Sequence, residues 1–282
     1  MDATAAAVAA RADEAGVPID DGWDSDVLVV DDRWIVKTPR RPAVAARLET
    51  EARLLRVLAP LLPVPIPAPV LVRAADGGLR AVYRRLEGTP LRVPTRQVAA
   101  ALGAFLSALH GRPARRRAEE VGLQMLDGTG WIRIFRAQCD AFRTHVSPLL
   151  DAEERARAAD LFAAFLSDER SAAFEPSLVH RDLGPDHILC EADGSLAGVL
   201  DWTDAQIGDP ALDFAWLLNG LGDRFAADLL ASYEHPVDAT FRTRALFYHR
   251  LGPWYEVEYG LETGHGNLVA LGLEGIRGRL GP

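Results

Sequence analysis

The sequence has little cysteine: Cys139 and Cys190 are the only two in 282 residues. Two isolated thiols give neither a disulfide framework nor a zinc cluster, and a reducing, cytoplasmic setting is expected. An excess of positive charge is also missing. The net charge of -9 argues against a nucleic-acid surface, which needs a basic face, and suits a cationic small-molecule partner. No long apolar run is unbroken. The most apolar window, Leu54 to Val72, contains Pro60, Pro63, Pro65, Pro67 and Pro69, which exclude a continuous membrane helix. The Ala-rich start carries Asp2, Asp13 and Glu14, with no basic start and no apolar core, so it does not read as a signal peptide. There is no internal repeat and no Gly-x-Gly-x-x-Gly loop.

What is present fits an ordinary soluble chain, 49% hydrophobic and 25% charged, long enough for one large domain or two lobes. Ala5 to Ala15 reads as a short helix with Thr4 as N-cap. Val27 to Val30, Trp34 to Lys37 and Leu79 to Tyr83 are short period-2 runs between Asp-Asp and Asp-Gly turns, which predicts antiparallel strands. Leucines 48, 54, 55 and 58 form a helical stripe over Arg47 to Leu58 that stops before Pro60. The proline-rich run to Pro69 is expected to be an extended connector. From Val98 onward amphipathic helices dominate: Val98 to His110, Trp131 to Val146, Ala152 to Ser167, Leu212 to Leu221 and Phe241 to Glu262. The pattern is α+β, with a boundary near Arg84 to Pro90.

The most informative stretch is His180-Arg181-Asp182-Leu183-Gly184-Pro185-Asp186-His187, followed by Val199-Leu200-Asp201-Trp202. The apolar pair Leu178-Val179 leads into the first segment, and Leu196 to Leu200 leads into Asp201, with Asp193-Gly194 as a hairpin turn between them. A carboxylate at Asp182 can accept or orient the proton of a hydroxyl. His187, five residues on, can donate an imidazole lone pair to a metal, and Asp201 supplies a carboxylate at a strand end. One base beside two metal-capable side chains is the equipment for Mg-dependent phosphoryl transfer, which demands positioning and charge neutralisation more than covalent chemistry. Asp204 is close enough to share the site. Lys37 ends a strand and can reach nucleotide phosphates, with Glu51, or Glu49, as its ion-pair partner. Gly22-Trp23-Asp24-Ser25-Asp26 stands where a phosphate loop is expected, and Ser25 is its candidate ligand. Asp209 reads as a helix N-cap with Pro210 at the first position. Tyr255, Glu258, Tyr259 and Glu262 share one helical face, where the carboxylates suit ammonium groups and the tyrosines suit sugar rings.

Val179-His-Arg-Asp-Leu-Gly-Pro-Asp-His-Ile-Leu189, Val199-Leu-Asp-Trp202 and Gly208-Asp-Pro210 with Asp213-Phe214 resemble the aminoglycoside/macrolide phosphotransferase family, over about Gly22 to Gly260. The resemblance implies a bilobal protein-kinase-like fold. Residues 1–86 form a small antiparallel-sheet N-lobe with a hinge at about 84–90, and residues 87–282 form a larger helical C-lobe. It implies γ-phosphoryl transfer from ATP or GTP, with Mg²⁺, to a hydroxyl of an aminoglycoside or macrolide, by a monomer. Asp182 is then the catalytic residue. His187, where most relatives carry Asn, and Asp201 hold the metal. Ser25, Lys37, Glu51, Arg84, Leu86, Leu189 and Leu200 line the nucleotide, and Glu51 is preferred over Glu49 because Glu51-Ala-Arg-Leu-Leu matches the family's helix pattern. Asp204, Tyr255, Glu258 and Glu262 face the acceptor. His187 narrows the resemblance to macrolide phosphotransferases and aminoglycoside 2''-phosphotransferases. A metabolic hydroxyl kinase and a nucleotide-binding pseudokinase are the competing readings.

Overall fold

The computed structural model describes residues 3–20, 24–74 and 77–280, so Gly22 and Trp23 of the expected phosphate loop lie outside the described residues. Helix α1 (Ala3–Ala15) is followed by strands β1 (Val17–Asp20), β2 (Ser25–Val30) and β3 (Trp34–Pro39), helix α2 (Pro42–Leu58), and strands β4 (Val70–Arg73), β5 (Leu79–Arg84) and β6 (Thr89–Pro90). Helices α3 (Arg96–Leu109), α4 (Arg112–Glu120), α5 (Gly128–His145) and α6 (Ala152–Ser167) come next, then strands β7 (Ser177–Val179), β8 (Ile188–Cys190), β9 (Leu196–Val199) and β10 (Gln206–Gly208). Helices α7 (Ala215–Asn219), α8 (Asp223–Ala231), α9 (Phe241–Thr263) and α10 (Gly266–Leu280) follow. The fold is α+β, with its main antiparallel sheet towards the N-terminus and helices towards the C-terminus. Contacts divide it into two compact units. The first comprises residues 1–124, 180–206 and 227–235; the second comprises 125–179, 207–226 and 236–282.

In the first unit, five strands pair in the order β1-β2-β3-β5-β4. The register sets Val36 opposite Val82 and Lys37 opposite Ala81, so alternate side chains leave opposite faces. One face takes Val30, Val36, Val72 and Val82, which pack against Ala5, Val8, Ala9 and Ala12 of α1. The small alanines let the helix lie close to the sheet. Arg80 fastens it, donating to the Ala9 carbonyl at 2.7 Å and to Asp13 at 2.7 Å. Thr4 lies inside the first turn of α1 rather than ahead of it. Lys37 leaves the other face, towards α2. That helix starts at Pro42, earlier than the leucine stripe suggests, because a proline at the first position has no N–H to lose. A smaller sheet, β6-β8-β9, carries the turn at Asp193-Gly194, where Gly194 has φ +82° and its N–H donates to the Glu191 carbonyl.

The second unit is helical around an aromatic core that includes Trp131, Phe135, Phe142, Phe162, Phe165, Phe247, Tyr248 and Trp254. A buried polar knot sits beside it. Arg244 is 1% exposed and binds Asp209, itself 0% exposed, at 2.7 Å and 3.2 Å. The same guanidinium binds Asp238 at 2.8 Å and 2.9 Å. Tyr248 donates to Asp209 at 2.8 Å, and Trp131 donates its indole N–H to the Tyr248 hydroxyl at 2.8 Å. Asp209 also accepts from the Ala211 amide at 3.0 Å, as its expected capping role requires. The helix expected over Leu212 to Leu221 is instead a 3-10 turn, Pro210–Leu212, and the short α7. Helices α9 and α10 meet backbone to backbone: a Cβ at Gly272 would lie 2.8 Å from the Pro253 carbonyl oxygen. Gly264 closes α9 with φ +75°, a left-handed cap that glycine adopts without penalty.

Candidate functional site

The expected catalytic, metal and nucleotide residues all fall in the first unit. His180 is fully buried, and its Nε2–H donates to the Leu200 carbonyl at 2.7 Å, tying the His180 and Asp201 segments together. Its Nδ1 therefore accepts, and the Asp182 amide donates to it at 3.3 Å. Trp202 closes over the imidazole with ring centroids 4.7 Å apart. Arg181 and Asp201 both have left-handed backbones, with φ of +76° and +55°. Neither is glycine, so each stores strain of about 1 kcal/mol that the surrounding bonds must hold.

A short turn, Pro185–His187, swings His187 back towards Asp182. His187 Nδ1 lies 2.7 Å from the Asp182 carbonyl oxygen and 3.5 Å from its Oδ2. A carbonyl only accepts, so Nδ1 carries the proton and the lone pair of the neutral ring is at Nε2. Burial favours the neutral imidazole, but the carboxylates of Asp182 and Asp201 outweigh it and raise its pKa. Asp182 is exposed. Partial withdrawal of its carboxyl from water and the nearby Asp201 and Asp204 raise its proton affinity, while His187 and His180 pull it down.

Lys37 is the only lysine in the sequence. Its Nζ lies 2.8 Å from Thr203 Oγ1, 3.1 Å from Asp201 Oδ1 and 3.9 Å from Glu51 Oε2. Of the two candidate partners, Glu51 faces it from α2 and Glu49 is exposed. Burial opposes the ammonium, but Glu51 and Asp201 together raise its pKa, so it stays charged. Burial opposes the Asp201 carboxylate too, and Lys37 and His187 hold its pKa well below the usual range. Glu51 is 7% exposed, and that burial pushes its carboxyl up despite the lysine.

Asp204 accepts from Arg47 of α2 at 3.1 Å, and the same guanidinium reaches Asp24, which Arg41 also binds. Ser25 is 2% exposed, and its hydroxyl has no partner among the described residues. Leu86 packs against Gly198 and Leu189 is buried, while Arg84 is exposed with its guanidinium 4.8 Å over the Trp34 ring. Leu200 is half-buried.

Tyr255, Glu258 and Glu262 lie on α9 in the second unit. Tyr255 meets the Phe142 ring edge-on at 5.1 Å. Glu258 accepts from Gln138 at 2.9 Å and stands 3.7 Å from His145, whereas Glu262 is exposed. Sequence reasoning missed Thr203, Arg47, Gln138 and His145. Only the uniqueness of Lys37 offered a further signal, because a chain that carries arginine everywhere else marks that position.

Asp201, held ionised, offers the oxygen donor that a hard cation would take, and His187 offers an imidazole lone pair, a softer donor that would be the secondary one. Among the described residues no group of three or more His, Cys, Asp or Glu side chains could hold a metal by itself. A magnesium ion, which retains waters and phosphate oxygens, needs no such cage.

The family model described as "Phosphotransferase enzyme family" matches residues 15–247. Viomycin phosphotransferase of Streptomyces vinaceus is 29% identical over 227 residues, covering 77% of each chain. The GDP and kanamycin complex of APH(2")-IIia superposes with a TM-score of 0.83 at 23% identity, over 94% of this chain and 93% of that one. Macrolide 2'-phosphotransferase MphH from Brachybacterium faecium gives a TM-score of 0.72 at 25% identity, over 93% and 92%. The fold is that of the kinase-like antibiotic phosphotransferases, and the chain belongs to the phosphotransferase enzyme family.

Proposed function

We propose that the protein transfers the γ-phosphoryl group of ATP or GTP to a hydroxyl of an antibiotic, an aminoglycoside first, and so inactivates it. The observation that carries this reading is two close pairs, Lys37 with Asp201 at 3.1 Å and His187 with Asp182 at 3.5 Å, on segments that the His180 bond to the Leu200 carbonyl ties together. Asp182 accepts or orients the acceptor hydroxyl proton. Lys37 holds the α- and β-phosphates, with Glu51 behind it. Ser25 offers its unpartnered hydroxyl to a phosphate oxygen. The Arg84 and Leu86 backbone meets the purine edge, and Leu189 and Leu200 pack on its faces. Asp201 and His187 hold Mg²⁺, which when bound neutralises charge on the phosphates. Asp204 is the candidate acceptor contact of the first unit, and Tyr255, Glu258 and Glu262 are those of the second. In this reading residues 1–86 are the nucleotide lobe, 84–90 the hinge and 87–282 the acceptor lobe, and the enzyme works as a cytoplasmic monomer without nucleic acid.

The relation to viomycin phosphotransferase favours a second reading, in which the acceptor is viomycin or an antibiotic like it. The assay that separates them presents kanamycin, gentamicin, viomycin and a macrolide, each with ATP and with GTP. One acceptor class should be phosphorylated, and Asp182→Asn should slow it by roughly 10²- to 10⁴-fold. Absence of transfer to every acceptor, or undiminished turnover by Asp182→Asn, overturns the reading.

A further inference from the structure

We propose that Thr203 is a positioning residue whose hydroxyl couples Lys37 to Glu51, in place of a direct hydrogen bond between them. The inference rests on the phosphotransferase reading, to which it adds a residue. Lys37 Nζ and Glu51 Oε2 are 3.9 Å apart, too far for a hydrogen bond. The Thr203 hydroxyl stands between them, 2.8 Å from Nζ and 3.0 Å from Oε2. It is also 3.1 Å from Asp201 Oδ1.

The direction of these bonds follows from proton count. Lys37 has donors only, so it must occupy a lone pair of the hydroxyl. Thr203 then has one proton to give, and two carboxylate oxygens, on Glu51 and Asp201, compete for it. Rotation about the Cβ–Oγ bond passes that proton from one to the other. A cation held by Asp201 would leave that proton to Glu51. The buried Glu51 then keeps a donor on each oxygen, because the Trp202 amide lies 3.3 Å from Oε1. Two successive residues after Asp201 thus hang on one carboxylate of α2. Glu51 positions the lysine and the Asp201 loop together, and Thr203 is the shared joint.

The test compares wild type, Thr203→Val and Thr203→Ser, alone and with Glu51→Gln. Valine keeps the shape and removes the hydroxyl; serine keeps the hydroxyl and removes the methyl. Nucleotide affinity is read with fluorescent GTP and ATP analogues, in EDTA and with Mg²⁺, and phosphoryl transfer is read as kcat and KM. Thr203→Val should lose roughly 10- to 100-fold in kcat/KM for nucleotide, the cost of a hydrogen bond to a charged group. Nucleotide affinity in EDTA should fall with it. Thr203→Ser should stay within about threefold of wild type, and in the Glu51→Gln background the valine effect should shrink. A packing role reverses the order, with valine tolerated and serine impaired. That order, a valine variant equal to wild type, or full additivity with Glu51→Gln overturns the inference while the phosphotransferase reading stands. If wild type binds nucleotide but phosphorylates nothing, the phosphotransferase reading fails, and the affinity order still decides Thr203. If wild type binds neither analogue, both fail.

Discussion

Removing the Arg244 guanidinium is the sharpest test of how the second unit is held. Asp209 is wholly buried, and Arg244 supplies two of its hydrogen bonds and its only close cation among the described residues. In Arg244→Met the apolar stem is kept, but Asp209 is left with the Tyr248 hydroxyl and the Ala211 amide. Asp238, 42% exposed in its side chain, recovers water and adds little to the cost. Breaking one side of a buried ion pair costs about 3–5 kcal/mol, a large share of the 5–15 kcal/mol that holds typical proteins folded. Asp209→Asn in the same background keeps the shape and removes the stranded charge, so the double variant should be destabilised by clearly less than the two single costs added. Urea unfolding followed by tryptophan fluorescence reads this, since Trp131 is hydrogen-bonded into the same knot. The midpoint should fall while the denaturant slope holds. A loss below about 1 kcal/mol for Arg244→Met, or strict additivity of the pair, would refute the reasoning.

Two further outcomes are expected. Burial, with Arg279 and Arg250 nearby, lowers the His249 pKa to about 4. Its unfolded value is near 6.5, so below that pH the unfolded chain takes up the proton first. Stability should fall between about pH 6.5 and 4, by about 1–2 kcal/mol for a group that solvent partly screens, and His249→Asn should flatten that slope in pH-dependent unfolding. Gly272→Ala sets a Cβ 2.6 Å from Val257 Cγ2, against the Pro253 carbonyl, so the melting temperature should drop, equivalent to about 1–3 kcal/mol. An unchanged melting temperature would mean that α9 and α10 separate more easily than their contact implies.

The candidate site segment could be picked out of the sequence because its residues are local: His180 to His187 and Asp201 lie within one loop and one strand pair. Strands β2, β3 and β5 were legible for the same reason, as short runs of valines and aromatics between Asp-Asp and Asp-Gly turns. Helix α4 carries no apolar stripe; its arginines pair with Glu119 and Glu120 one turn on, and only Ala114 and Ala118 are buried. Helix α10 carries four glycines, which lower its intrinsic propensity, yet Gly272 and Gly275 are where it meets α9. Tertiary contact overrides propensity there. The Lys37–Thr203 and Arg244–Asp209 bonds join residues 166 and 35 positions apart, and no periodicity records such pairs. Pro253 sits inside α9, where a proline rule alone would have ended the helix.

The solitary lysine has a practical consequence. Every other strong side-chain cation in the chain is a guanidinium, so an amine-directed reagent meets a single side-chain amine. That ε-amine, 9% exposed and clamped between Asp201 and Thr203, is held as an ammonium by Glu51 and Asp201, so covalent ligands reach it as the free base only at alkaline pH. An electrophile carried on a nucleotide-shaped scaffold would add one mass increment per occupied molecule, making the protein its own titrant, and would find no competing lysine on the surface to dilute the count.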